Sequence, residues 1–143
     1  MTHDVHHIVE QLSRAGLRPS QRQWELLREA GPLAIPPLVE LALDMHKLGG
    51  AEPASLGPVH ALRLLGEIGA PPEDAIERMI RATPEPAASG NDQASYIWWQ
   101  ELPQMIGRWG RSGYNAARRI ILNAEVDREA RAIAVASLPF AAE

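Results

Sequence analysis

Leu64-Leu65-Gly66-Glu67-Ile68-Gly69, followed by Ala70-Pro71-Pro72 and then Ala75-Ile76-Glu77-Arg78-Met79-Ile80, is the stretch that decides the fold. Its apolar residues recur at helical spacing, stop at a glycine and two prolines, and resume on a second helix. The pattern occurs earlier as Leu26-Leu27-Arg28-Glu29-Ala30-Gly31, then Leu38, Leu41 and Ala42. It occurs later as Met105-Ile106-Gly107-Arg108-Trp109-Gly110, then Ala117, Ile120 and Ile121. A period near forty residues with two helices in each suggests hairpins that share a core by stacking, since one hairpin cannot bury both of its apolar faces.

Outward from that stretch, the 3.6-residue period predicts helices at about 3–15, 20–30, 33–48, 58–68, 72–82, 93–109, 112–124 and 127–138. Pro36 and Pro37 fall in a first turn, where a missing N–H costs little. Pro103 falls inside a helix, so a kink or break is expected there, and Pro139 is expected to end the last helix. Residues 49–57 and 84–92 read as loops along one edge that join outer to inner helices. The expected fold is all-α: an α-solenoid of about four stacked antiparallel hairpins in one domain, with a helical pair at 1–31 and a repeat region at 33–138. The expected core is Leu27, Leu38, Leu41, Leu62, Leu65, Ile68, Ile76, Ile80, Ile106, Ile120 and Ile121.

Composition narrows function mostly by exclusion. The chain has 143 residues, long enough for a sizeable core, and 45% of them are hydrophobic. A net charge of −4 argues against nucleic acid as a partner of the whole surface. With no cysteine, disulfides, thiolate zinc sites and thiol nucleophiles are excluded together. No apolar run approaches the roughly 20 residues needed to span a bilayer, and the N-terminus has no apolar core of a signal peptide, so no membrane role and a cytoplasmic location are expected.

The pattern resembles HEAT-like repeats of the bacterial type, found also in phycobilisome bilin lyases. Val59–Gly69 looks like the inner helix of such a repeat, with Leu65-Gly66-Glu67-Ile68-Gly69 close to its consensus ending. Ala34–Leu43 looks like an outer helix, and Ala124–Arg131 like the aspartate-to-arginine turn between helices. The resemblance covers about residues 33–138. Arg131 alone matches the turn's arginine; Pro58 and Trp99 stand where the other copies would have one. It implies an α-solenoid without implying a chemistry, because such repeats serve many proteins. No chromophore-handling residues are recognisable, so a lyase-type subunit rests on fold analogy alone.

Three clusters deserve weighing. His3, His6 and His7 with Asp4 place imidazoles at helical spacing, although a polar terminal turn explains them as well; His46 and His60 are isolated. Glu67, Glu73, Asp74 and Glu77 form an acidic stretch that dipole compensation and a solvated face explain. The third cluster is the strongest. Trp98 and Trp99 adjoin a segment, 104–123, that carries Arg108, Arg111, Arg118 and Arg119 and no acid, with Tyr96, Trp109 and Tyr114 nearby. Adjacent helical residues point about 100° apart, so one of the two tryptophans is expected to face outward. Trp and Arg are enriched where binding energy concentrates. The alternative is that the aromatics fill a core widened at Pro103 and the arginines form a solvated face. The resulting expectation is a protein- or peptide-binding module for an acidic partner, with no catalytic residue, cofactor or metal. Its site would be Trp98, Trp99, Arg108, Arg111, Arg118 and Arg119, with nucleic acid as the competing ligand.

Overall fold

A computed structural model describes residues 5–12, 19, 21–44, 48, 56–83 and 93–141. The expected loops at 49–57 and 84–92 lie almost wholly outside the described residues, as do His3, Asp4 and His46. The chain is helical, with no strand among the described residues. It divides into two compact units, Met1–Gly69 and Ala70–Glu143.

In the first unit, α1 (Val5–Leu12) and α2 (Gln21–Ala30) are followed by a 3₁₀ turn at Gly31–Ala34, α3 (Ile35–Ala42) and α4 (Gly57–Ile68). Gly31 has a φ of 57°, which lets the chain leave α2 through the left-handed region and re-enter a helix at once. Pro32 and the pair Pro36 and Pro37 occupy first turns, as their lost N–H groups allow. The third helix therefore begins as a 3₁₀ turn and ends at Ala42, shorter than the expected 33–48. Non-consecutive helices are neighbours: α1 packs on α3, and α2 on α4. The core is aliphatic, with Leu12, Leu27, Leu38, Leu62, Leu64 and Leu65 sealed from solvent.

In the second unit, α5 (Glu73–Ala82), α6 (Gln93–Arg108), α7 (Gly110–Leu122) and α8 (Arg128–Ala141) follow the same rule: α5 packs on α7, and α6 on α8. Gly110, with a φ of 60°, turns α6 into α7 across two residues. Gly113 then lets the two helices touch, since a Cβ there would collide with the carbonyl of Ile106. Gly107 does the same for α8, where a Cβ would collide with Phe140. The third glycine of the repeating pattern, Gly69, also has a positive φ, 153°.

Three expectations need correction. The break at Pro103 is absent: α6 runs continuously through it, because its flanking residues Leu102, Met105 and Ile106 are buried in packing that outweighs the roughly 3 kcal/mol an interior proline costs. Pro139 does not end α8, which continues to Ala141 while its last turn lies against α6 at Gly107. Ile68 and Ile121 are only half-buried, because each sits on the flank of its helix; the other nine expected core residues are buried.

Candidate functional site

The expected site falls on α6 and α7, and the fold sorts its six residues. Trp98 is fully buried. Its indole N–H donates to Thr83 Oγ1 at 3.0 Å, and that hydroxyl donates to the Met79 carbonyl at 3.0 Å. A buried indole needs such a partner for its one donor, so Trp98 ties α6 to the end of α5 and offers no surface to a ligand. Trp99, one position on, is half-buried. The expected pairing of one inward and one outward tryptophan thus holds only in degree.

Arg119 is also committed. Its guanidinium meets Glu73 at 2.7 Å and Glu77 at 3.1 Å, and Asn115 Nδ2 donates to Glu73 at 3.1 Å. The Glu73 carboxyl is held below its ordinary value, first by the hydrogen bond from Arg119 and then by that from Asn115. The segment 104–123 has no acid of its own, but α5 supplies two. Arg119 is therefore a clasp between α5 and α7 rather than a free recognition group.

Arg108, Arg111 and Arg118 remain. All three are exposed, and none has an acidic partner among the described residues. At about 100° per residue, Arg111, Tyr114, Arg118 and Leu122 fall within an arc of about 80° on α7 and run for about 16 Å. Tyr114 is 45% exposed and Leu122 71%. This stripe alternates cation, aromatic, cation and aliphatic group. Tyr114, named near the cluster in sequence but left out of the six, and Leu122, which was missed, belong to it; their spacing of three and four residues from Arg111 and Arg118 was the available signal.

The acidic cluster divides between two clasps. Glu67 Oε2 accepts from the Trp24 indole at 2.6 Å and from Arg28 Nε at 3.0 Å, with the guanidinium 5.9 Å from the indole centroid. That clasps α2 to α4. Glu67 lies in the first unit, and Glu73, Asp74 and Glu77 in the second, so the acidic stretch is not one site. His60 is fully buried in α4, whereas His6 and His7 are exposed. Among the described residues no three His, Asp or Glu could hold a metal ion. An open cavity of about 310 Å³ between α1 and α3 is lined by His6, Val9, Glu10, Pro37, Glu40, Leu41 and Asp44. In the turn before α8, Asp127 Oδ1 accepts from the Ala130 amide at 3.0 Å and the Arg131 guanidinium donates to the Ala124 carbonyl, so both residues of the aspartate-to-arginine turn serve to set the start of α8.

No helix among the described residues is long and apolar enough to cross a membrane. Compared with known proteins, the chain matches no family model, no curated protein and no solved structure.

Proposed function

We propose that the chain is a short α-solenoid of HEAT-like hairpins that binds an acidic protein or peptide and performs no chemistry itself. What supports the solenoid is the packing of non-consecutive helices within each unit, a neighbour relation that stacked hairpins produce. The observation that carries the binding role is the outward face of α7, where Arg111 and Arg118 flank Tyr114 without an acid to neutralise them among the described residues. Free guanidinium groups pair bidentately with carboxylates, and an exposed tyrosine beside them adds contact area at low entropic cost.

The test is affinity capture from native lysate with the wild-type chain and with the double variant Arg111→Glu/Arg118→Glu, each with and without nuclease. A protein partner should be captured by the wild type, survive nuclease and be lost with the variant. Capture abolished by nuclease would transfer the face to nucleic acid. Equal capture by both chains would remove this face from the binding role.

A further inference from the structure

The basic stripe of α7 has an apolar neighbour. On α8, Ala132, Val135, Ala136, Pro139 and Phe140 are exposed, Val135 to 53% and Phe140 to 50%. Their spacing of three and four residues makes a continuous helical face. No charged residue lies between Arg131 and the end of α8. The buried faces of the two helices, Ala116, Ala117 and Ile120 on α7 and Ala130, Ile133 and Ala134 on α8, are spent on each other and on α5 and α6. Since α7 and α8 pack together and each packs on both α5 and α6, the faces they turn away from those two helices are the open ones, with Phe140, whose Cβ lies against Gly107 of α6, at the margin.

That side has two edges of different chemistry. One carries two guanidinium groups with no acidic partner among the described residues; the other is aliphatic and aromatic, with alanines that admit a close backbone. Resting on the peptide-binding role proposed above, we infer that this side of the α7–α8 hairpin docks an acidic amphipathic helix. The helix would set carboxylates against Arg111 and Arg118 and an apolar stripe against Val135 and Phe140. Charge complementarity selects acid on the α7 edge. The apolar edge selects a folded, two-faced ligand over an extended polyanion, because a phosphate backbone has nothing to bury against Val135 and Phe140. A helix matches α7 in length: the arginines are seven residues apart, about 10 Å, so carboxylates at i and i+7 of the ligand meet them in register.

The experiment is panning of a helix-forming peptide library displayed on phage against the full chain. The enriched peptides are then measured by fluorescence anisotropy against wild type, Arg111→Glu/Arg118→Glu and Val135→Asp, with melting by circular dichroism to confirm that each variant folds. All three positions are exposed, so the variants should melt near wild type. Expected are peptides with Asp or Glu on one edge and apolar residues beside it. Each variant should weaken their binding by about tenfold or more, with the Arg111/Arg118 effect shrinking in high salt. Enriched peptides that bind both variants at full strength would overturn this docking site while leaving a peptide-binding role elsewhere. No enriched peptide, with an oligonucleotide bound through the same arginines, would overturn both. A concentration-dependent dimer of the chain abolished by Val135→Asp would assign the side to a second copy and overturn the acidic helix.

Discussion

The two units obey one packing rule with different materials. In each, non-consecutive helices are neighbours, and a polar clasp joins such a pair. The first unit fills its interior with leucines and leaves its single tryptophan half-buried on the clasp; there one carboxylate, Glu67, receives both Trp24 and Arg28. The second places Trp98 and Trp109 inside among Met79, Leu102 and Met105, and its clasp is inverted: one guanidinium, Arg119, receives both Glu73 and Glu77. Helix packing requires an apolar stripe at the right period, and leaves open which side chains fill it. It also leaves open which member of the clasp is the shared one.

The interior comparison carries the largest expected effects. Trp98→Ala should cost about 3–5 kcal/mol, since it opens a cavity and removes the donor that Thr83 accepts. Leu65→Ala should cost about 2–5 kcal/mol. Urea unfolding with amide hydrogen exchange resolves both: protection should fall first among residues 93–122 for Trp98→Ala and in α2 and α4 for Leu65→Ala. Either variant matching wild type in both measurements would place that residue outside the core.

A glycine pair sharpens the comparison. Gly113→Ala should cost about 1–3 kcal/mol because backbone stands where the methyl must go. Gly31→Ala should cost about 1–2 kcal/mol for another reason: nothing lies near its Cβ, but its φ of 57° is left-handed. Asparagine tells the two apart. Gly31→Asn should recover part of the loss, since asparagine tolerates that region, whereas Gly113→Asn should be worse than alanine. The same ranking at both sites, read from thermal melts, would refute the distinction.

The clasps give the smallest effects. Glu67→Gln should cost about 0.2–1 kcal/mol, as expected for a pair that is half exposed. Glu73→Gln should differ in its pH response. The folded carboxyl sits below the ordinary value of 4.5, so its stabilisation is present above that value and is lost as pH falls through the lower, folded one. The gap in Tm between wild type and Glu73→Gln should therefore be open at pH 7 and close under more acidic conditions. A gap that widens on acidification would contradict the clasp.

Much of this was legible in the chain alone. Gly31, Gly69 and Gly110, chosen as the punctuation of the pattern, are the three glycines with positive φ among the described residues. Helix positions followed from periodicity, because a buried stripe must recur at 3.6 residues whatever it packs against. What failed depended on contacts distant in sequence. A break at Pro103 and an end at Pro139 were read by local cost, and tertiary packing outweighs that cost. The choice between Trp98 and Trp99 needed the position of Thr83, fifteen residues away. The commitment of Arg119 needed Glu73, forty-six residues away. A run of arginines without acid is a statement about one segment, whereas neutralisation is a property of the folded surface.

The placement of Trp24 makes the molecule its own optical instrument. It is the one tryptophan in residues 1–69, with the other three beyond residue 90. Its half-exposed ring donates to the Glu67 side chain at the surface, while Trp98 donates to a hydroxyl in the buried interior. The emission of Trp24 should lie to the red of Trp98 and respond to iodide or acrylamide quenching that does not reach the interior. Replacing Trp24 by phenylalanine leaves a spectrum that belongs to the second unit alone. The difference from wild type is then a spectrum of the first.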